Sequence, residues 1–373
     1  MTRMAGIVCA VCLVNLIAIS SASEIVEELS ESLYEISDPS FLNNSASDWP
    51  SSFSSHGSDH DIKEGRPDSH APAGLMGDHV HHKGGMMFEY KFMNMYMDGN
   101  RFGSDSVSDV AALDVTGIPF MATPTRMNMD MHMIHMMYGM TDDITLYVMP
   151  MWTELTMDHL RRNGTTFRVH TDGFDDTNLG ALIRLYEGET DEIAFNLGCS
   201  VPTGSINNTT TRSSPVGAET IVPYPMRIGS GTFNARPGIT YKKYWDSSST
   251  GVQFQTDLPI DHNYRGYAVS NEYRLNWWYA YRPVDPLALT FRAESLWREN
   301  YDGTDPELNP NMISTARTDM RGGYWFNLGL GAIYQLPDAS RLAFEMVIPL
   351  AQELDGVQLE TDSMLFASWS KAF

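Results

Sequence analysis

Asp362-Ser-Met-Leu-Phe-Ala-Ser-Trp-Ser-Lys-Ala-Phe373 is the stretch of this sequence that indicates the fold most directly. Counted back from Phe373 in steps of two, it gives a face that is apolar apart from Lys371, while the other face is small or polar near its end. A period of two is typical of a β-strand with one apolar face. Taken alone, the stretch predicts the last strand either of a membrane barrel or of a soluble β-sandwich.

Eleven earlier stretches alternate in the same way. Most of them contain ten to fourteen residues. That length exceeds the roughly 5–6 residues usual in soluble proteins and suits membrane strands of about 9–11 residues with their ends. The stretches are 86–98, 125–138, 144–157, 178–187, 192–202, 232–243, 251–260, 269–281, 287–298, 324–335 and 342–350.

The connections between these stretches alternate in length, and this decides between the two folds. Short connections are 139–143, 188–191, 245–250, 282–286 and 337–341; those between them are longer, up to 203–231. Membrane barrels have short periplasmic turns and long extracellular loops, whereas a soluble sandwich has no reason to alternate. The sequence therefore predicts an all-β fold, a single closed antiparallel transmembrane β-barrel of about 12 strands over residues 85–373. Trp369 and Phe373 would mark its closing strand for the barrel-assembly machinery.

The residues before the barrel predict export. Residues 1–23 combine Arg3, an apolar run and small residues before Glu24, which is typical of a cleaved signal peptide. Residues 24–84 are acidic, rich in serine and contain histidine, and they predict a disordered periplasmic leader. Only Cys199 would remain after cleavage, so we expect neither a disulfide framework nor a cysteine metal site. The net charge of -22 argues against nucleic acid as a partner.

Several motifs carry a family resemblance. They are His70-Ala-Pro-Ala-Gly-Leu-Met-Gly-Asp-His79-Val-His81-His82-Lys-Gly-Gly85, the run from Phe88 to Arg101, Pro225-Met-Arg-Ile-Gly-Ser-Gly-Thr232, Asp305-Pro-Glu-Leu-Asn-Pro310, Arg321-Gly-Gly323 and Leu354-Asp-Gly-Val-Gln-Leu-Glu-Thr-Asp362. Over residues 70 to 373 the chain resembles a family of bacterial outer-membrane β-barrel transporters, allied to the MetA-type channels of the phenol meta-cleavage pathway. The resemblance implies a Gram-negative outer membrane, with its lipid and a small solute as partners. It assigns no catalytic residue.

Polar residues opposite the apolar face of each strand are candidates for the channel lining. They are Glu89, Lys91, Asp130, His132, Arg184, Arg274, Arg292, Glu294 and Arg298. Twelve strands enclose a bore between a filled eight-stranded barrel and an open porin, and opposed charges there set a selectivity field or form a salt-bridge network that fills the bore. Met127, Met129, Met131 and Met133 alternate with Asp130 and His132, and we expect these methionines to face lipid.

Histidine is concentrated just before the barrel. His70, Asp78, His79, His81 and His82 lie close together in sequence, with His56 and His60 upstream. Imidazole suits copper and zinc, and thioether suits Cu(I). The segment therefore predicts either a copper or zinc site or a flexible polar plug or leader without metal; no other cofactor is expected.

The function predicted from these features is a porin-like channel for the passive uptake or export of a small solute, hydrophobic or aromatic by family analogy. A first alternative is an outer-membrane protein that handles copper. A second is a barrel lipid hydrolase with His262, Ser270 and Asn271 as catalytic candidates, whose spacing does not resemble the known barrel lipase motif. We expect no enzyme activity. The solute, its direction and the oligomeric state are not specified by the sequence.

Overall fold

The computed structural model describes residues 65–213 and 216–373. The predicted signal peptide, leader residues 24–64, and His56 and His60 lie outside the described residues. Among the residues that are described, no helix has the length and apolar content needed to cross a membrane.

The regular structure of the described chain is β-strand, apart from one short helix, α1 (Asp109–Ala112), and three 3₁₀ turns. The strands are β1 (Met86–Gly103), β2 (Asp105–Val107), β3 (Ala122–Gly139), β4 (Ile144–Met149), β5 (Met151–Arg161), β6 (Thr166–Phe174), β7 (Thr177–Glu187), β8 (Asp191–Val201), β9 (Thr209–Ser213), β10 (Val216–Ile221), β11 (Asn234–Tyr244), β12 (Ser248–Pro259), β13 (Tyr267–Ala268), β14 (Glu272–Val284), β15 (Leu287–Arg298), β16 (Asp302–Gly303), β17 (Gly323–Gln335) and β18 (Ser340–Ala372). The 3₁₀ turns are Pro67–Ser69, Tyr224–Met226 and Ser314–Ala316.

The strands close into a ring. Its order is β1–β18–β17–β15–β14–β12–β11–β8–β7–β4–β3, and β3 pairs back to β1 along most of its length. Every pairing in the ring is antiparallel. A closed ring leaves no strand edge without hydrogen-bond partners, which is the condition for strands to cross lipid. The predicted fold class, a closed antiparallel transmembrane β-barrel, is confirmed.

The last strand of the ring, β18, consists of two arms. Its residues up to Glu353 pair with β17, those from Val357 onward pair with β1, and Leu354 pairs with both. Gly356 has φ +71°, a conformation that glycine adopts at little cost. Gln352 donates to the Thr361 carbonyl (2.8 Å) and accepts from the Thr361 amide (2.9 Å), which is feasible only if the chain folds back between them. Counting both arms, the ring of eleven strand segments has twelve spans.

The wall is taller on one side. β3 continues beyond β4 to pair with β5, and β5 pairs with β6. Pro150, which cannot donate a backbone hydrogen bond, separates β4 from β5.

The two ends of the barrel differ in their connections. We call the end that carries the connections 202–233, 260–271 and 299–322 the long-loop end, and the opposite end the short-turn end.

Residues Arg66–His82 occupy the interior of the ring, and we call this segment the plug. It contacts strands from different sides of the barrel, so it can lie only in the lumen. Lys91 (β1) donates to the Leu75 carbonyl at 2.9 Å, Gln253 (β12) to Met76 at 3.0 Å, Arg184 (β7) to Val80 at 3.2 Å, and the Gly74 amide donates to Glu345 (β18) at 2.6 Å. The predicted disordered leader extended to residue 84; the structure instead orders residues 66–82 in the lumen, because lumenal side chains bind the plug's backbone.

Both ends of the plug lie at the short-turn end. Arg66 donates to the carbonyl of Trp245, between β11 and β12, and Asp68 pairs with Arg282 near the end of β14 at 3.3 Å. Across the barrel, the Gly84 amide donates to Gly139, at the end of β3, at 2.7 Å. The plug is therefore a re-entrant loop that enters and leaves by the same mouth.

Apolar side chains cover the outside of the barrel. Exposed examples are Leu197, Leu330, Phe344 and Ile348, each half exposed, while Trp369 and Phe373 lie on the outer side of the seam with β1. The inner positions of the same strands hold Asn196, Gly329 and Glu345. Apolar residues outside and polar residues inside match the predicted arrangement of most strands.

On β3 the predicted faces are wrong. Lys91, which touches the plug, pairs directly with Met133, and paired residues share a face, so Met133 points into the lumen. Alternation also places Met127, Met129 and Met131 inside, and not toward lipid. His132 points outward and bonds the Tyr90 hydroxyl at 2.7 Å, and Asp130 accepts from Asn94 on the same outer surface at 2.7 Å.

A charge on the outer face should destabilise the barrel. Leu330 is exposed on β17 between apolar neighbours, and we expect Leu330→Arg to lower the free energy of unfolding by about 2–4 kcal/mol because the guanidinium would sit in hydrocarbon. Urea titration in phospholipid vesicles measures this. The control is Val110→Arg, on the exposed helix α1 among the loops, which should change stability by less than about 0.5 kcal/mol. Equal effects would mean that the outer face does not contact lipid.

Candidate functional site

One wall of the lumen carries a network of ion pairs, which we call the ladder: Arg274, Arg292, Glu294 and Glu345. Arg292 binds Glu345 at 2.7 Å and Glu294 at 2.9 Å, and Glu294 also binds Arg274 at 3.1 Å. Arg292, Glu294 and Glu345 are all buried. The ladder is positioned by the direct pairing of β14, β15, β17 and β18, which brings alternate inward residues side by side.

Amides complete the ladder. Asn276 accepts from Arg292 at 3.1 Å, and Asn327 donates to Glu294 at 2.7 Å. Toward the long-loop end, Arg298 binds Glu272 at 2.7 Å and its guanidinium lies over the Trp325 ring. Buried charges that are paired and hydrogen-bonded lower the stability of a protein only modestly, whereas removal of one partner of a buried pair is strongly destabilising. This part of the lumen therefore has fixed charges.

The adjoining wall, which begins at β18, is lined with methionine, and we call this surface the methionine lining. It consists of Met93, Met95, Met129, Met131, Met133, Met149, Met151 and Met364, which pack in one cluster with Val347 and Phe366. These residues come from β1, β3, β4, β5 and β18, which adjoin in the ring. Thioether side chains are flexible and polarizable, so they adapt to apolar molecules of different shapes. The lumen thus has a charged wall and an apolar wall.

The plug fills the space that these walls enclose. Its tip, Gly74, lies against the ladder so closely that a Cβ there would stand 2.5 Å from Arg292 Nη2 and 2.7 Å from Glu345 Oε2. On the other side, Lys91 lies 3.6 Å from Glu89, which in turn lies 3.4 Å from His135. Ala71 and Leu75 of the plug pack against the fully buried Trp278. A cavity of about 50 Å³ remains between the plug and the wall.

Seven of the nine predicted lumen residues lie on the inner face: Glu89, Lys91, Arg184, Arg274, Arg292, Glu294 and Arg298. Asp130 and His132 do not, for the reason given above. The side chains of the inner seven are held in ion pairs or bound to the plug's backbone. Their role in ion selectivity stays a prediction.

The predicted metal ligands are partly brought together. His70, Asp78 and His79 each offer a ligand atom, and these atoms lie within 4.8 Å of one another. The ring of His81 contacts that of His79, with centroids 4.8 Å apart. His82 lies apart from the group, with Nδ1 3.9 Å from Asp142 near the short turn.

Sequence reasoning missed a second organised region, at the long-loop end. Arg227, Tyr267 and Asp305 come from three different long loops, and Arg227 donates to Asp305 at 2.6 Å and to the Tyr267 hydroxyl at 2.9 Å. Burial raises the pKa of Asp305, but hydrogen bonds from the Glu307 amide and from Arg227 outweigh burial and hold the pKa below its usual value. Two of the motifs that carry the family resemblance, around Arg227 and around Asp305, therefore meet in one buried ion pair. No spacing rule in the sequence could have indicated this pairing.

A half-buried acid in the same region makes stability depend on pH. Asp175, between β6 and β7, accepts from Thr153 at 2.8 Å, and burial raises the pKa of its carboxyl to about 6. A raised pKa means that folding is opposed once the carboxylate ionises, so stability is lost as pH rises through about 6. We expect Asp175→Asn to stabilise the protein at pH 8 by about 1 kcal/mol, since Asp175 is only half-buried, and to have no such effect below the unfolded-state pKa. The temperature of unfolding, read from gel mobility at both pH values, measures this; a pH-independent difference would contradict it.

The residues considered for lipid hydrolysis have other contacts. His262 is exposed, with Nε2 3.3 Å from Asp302, and Asn271 donates to Glu299 at 2.7 Å. Ser270 is buried and its hydroxyl has no hydrogen-bond partner. A catalytic serine needs a base within hydrogen-bond reach, so these contacts do not favour the hydrolase alternative.

Comparison with known proteins agrees with the barrel. The family described as "Putative MetA-pathway of phenol degradation" matches residues 135–350, more than half of the sequence. This chain belongs to that family. No curated protein sequence matches it.

One solved structure supports the same fold for this member of the family. An outer membrane channel from Pseudomonas putida F1 is similar with a TM-score of 0.53 and 14% identity, over 79% of this chain and 97% of that one. A KdgM porin has a TM-score of 0.37 and 10% identity, over 77% and 99% of the two chains. A Pseudomonas aeruginosa FadL homologue has a TM-score of 0.36 and 10% identity, over 77% and 89%. The first of these likenesses supports the barrel fold; the other two are too distant for any argument.

Proposed function

We propose that this protein is an outer-membrane channel through which a small apolar or aromatic solute moves passively. The observation that carries the proposal is the methionine lining, which places thioether groups along the lumen, where a general porin has water and polar side chains. An apolar solute leaves water favourably on such a surface, and its flexible side chains accommodate varied shapes.

The charged wall fits the same function. The ladder adjoins the methionine lining along β18, where the Arg292 guanidinium lies 6.0 Å from the centroid of the Phe366 ring. A solute with an aromatic ring and one polar group would therefore find a suitable surface for each. A wholly apolar lumen would hold an apolar solute too firmly, since conduction needs binding weak enough to allow release. Family membership and the barrel fold support transport across the outer membrane.

The plug means that transport requires movement. The cavity of about 50 Å³ beside the plug is smaller than the roughly 300 Å³ or more typical of small-molecule pockets. We therefore propose that the plug shifts or leaves the lumen when solute passes. Several hydrogen bonds hold the backbone of the plug to the wall, and each contributes only about 0.5–1.5 kcal/mol net because water replaces it when it breaks.

The test is uptake into vesicles whose outer leaflet is lipopolysaccharide. A naphthylamine dye that this leaflet excludes should enter several-fold faster with the protein than without it, and glucose should enter more slowly than the dye. Met93→Gln, which makes the lining polar, should reduce dye entry. The matched control, Met346→Gln on the outer face of β18, should not. Dye entry that is independent of the protein, or unaffected by Met93→Gln, would contradict the proposal.

A further inference from the structure

The two arms of the plug bring together side chains of the kind that bind metal. His70 lies on the entering arm, and Asp78 and His79 lie on the returning arm. The His70 and His79 rings are 4.9 Å apart, and Asp78 Oδ1 lies 2.7 Å from His79 Nδ1. Asp78 Oδ2 accepts from the Ala71 amide at 2.9 Å, which holds the arms together. The group is thus part of the ordered plug and is not a chance approach of surface side chains.

Two imidazole nitrogens at this place are buried and have no hydrogen-bond partner: His79 Nε2 and His81 Nε2. His81 is only 5% exposed. Leaving such an atom unsatisfied costs about 1–3 kcal/mol, so each one requires an explanation. A neutral imidazole has one nitrogen with a lone pair, and a buried lone pair without a hydrogen-bond donor is available to a metal ion.

We propose that the plug binds one divalent transition-metal ion of the zinc and copper class, with His70, Asp78 and His79 as ligands and His81 beside them. Two imidazoles and a carboxylate are a donor set that suits Zn²⁺ and Cu²⁺, whereas Ca²⁺ and Mg²⁺ prefer oxygen ligands alone. Met76, Met87 and Met137 line the same cavity and offer soft thioether donors for copper. The cavity of about 50 Å³ has room for an ion and a bound water.

The charges around the cavity are mixed. Asp78 and Glu89 are the acidic residues of the lining, and Lys91 and Arg341 are the basic ones. Lys91 is engaged with Glu89 and with the Leu75 carbonyl, and Arg341 approaches the Met87 sulfur at 3.5 Å. Ligation by two neutral imidazoles and one carboxylate therefore relies on bonds to the metal rather than on a strongly negative site. This favours Zn²⁺ and Cu²⁺ over the harder cations.

Bound metal would fasten the plug. A bridge from His70 to Asp78 and His79 closes the loop of residues 71–77, whose tip is Gly74 on the ladder. The ligands are together only when both arms are folded, so the metal binds the plugged state and stabilises it by mass action. The physiological value of this fastening rests on the proposed channel function, but the binding site does not.

The first experiment measures stoichiometry on the full-length protein in detergent. After chelation, loading with Zn²⁺ and removal of free ion, the wild type should retain one zinc per chain. The double variant His70→Gln, His79→Gln should lose it. The control is His170→Gln, whose ring lies exposed within 3.9 Å of Glu154 and 3.7 Å of Asp172 and resembles a surface site. Each variant is first shown to be folded by its heat-dependent gel mobility. No retained zinc, or equal retention in the double variant, would overturn the site.

The second experiment measures the plug directly and requires no transport. Zn²⁺ should slow backbone amide exchange of residues 71–77 at least tenfold in the wild type and in His170→Gln, but not in the double variant. Exchange on β12, which lies outside the plug, should be the same with and without metal. If zinc is retained but exchange in the plug is unchanged, the fastening role is wrong. Failure of the dye-uptake test would instead count against the channel and leave both metal measurements valid.

Discussion

Replacement of plug residues 67–81 by a single glycine should raise the single-channel conductance of the protein in planar bilayers about tenfold or more. Twelve strands enclose more space than the filled eight-stranded barrels, and in this barrel the plug takes up that space. The deletion removes all of the plug's contacts with Glu345, Lys91 and Gln253 at once. Ions would then meet only side chains of the wall.

The control for this deletion is a glycine–serine segment of the same length. It keeps the length of chain between Arg66 and His82, which lie at opposite sides of the short-turn mouth. It has no apolar side chains to pack on Trp278 and none of the proposed metal ligands. We expect an intermediate, fluctuating conductance, because a flexible chain still obstructs the mouth part of the time. Conductance equal to wild type in both variants would show that another part of the chain, such as the long loops around Arg227, limits flow.

The strands of this barrel could be predicted because their outer face meets only one environment. Lipid requires apolar side chains at every outward position, such as Leu197, Leu330 and Phe344. The sequence of each strand therefore shows a period of two. The turns at the short-turn end were predictable for a similar reason, since adjoining antiparallel strands need only a few residues between them. The turn at Gly356 lay within a connection of intermediate length that the structure shows to be strand on both sides.

The sequence could not show which face of β3 points into the lumen, because the lumenal face of this strand is apolar as well as the outer face. Methionines point inward at Met133 and Met137 but outward at Met136, so hydrophobicity does not distinguish the two sides. Asp130 pairs with Asn94 and Glu154, in the part of the wall that extends toward the long-loop end, where polar residues can face water. The sequence does not show which residue of β1 pairs with each residue of β3. The pairing of Lys91 with Met133 in the structure identifies the lumenal face.

The plug was beyond prediction for a different reason. Its residues follow neither a period of two nor one of 3.6, because its conformation is set by lumenal side chains such as Lys91, Gln253 and Glu345, far away in sequence. Histidine and aspartate at 70, 78 and 79 did indicate metal chemistry. Their spacing alone could not show that His70 folds back onto His79.

Glu345→Ala should be the most damaging single substitution in the lumen. Glu345 is fully buried, and its two oxygens serve different partners: Oε1 binds Arg292 and Oε2 accepts from the Gly74 amide. Its loss leaves Arg292 with Glu294 and Asn276 only and releases the tip of the plug. We expect the free energy of unfolding to fall by about 3–5 kcal/mol, since one partner of a buried pair is removed. Urea titration measures this loss of stability. Bilayer conductance should rise in the same variant, because the tip of the plug is released.

The loss of stability and the rise in conductance can be separated, because they depend on different oxygen atoms of Glu345. Arg292→Met with Glu345→Leu removes both charges and should recover much of the stability, since a buried pair replaced by apolar residues is often near neutral. The Gly74 amide still lacks its acceptor, so conductance should stay high in the double variant. Glu353→Ala, on the exposed face of the same strand, should change neither quantity. If conductance returned to the wild-type value along with stability, the plug would be held by packing of the lumen, and the bond from Gly74 to Glu345 would not be what keeps it in place.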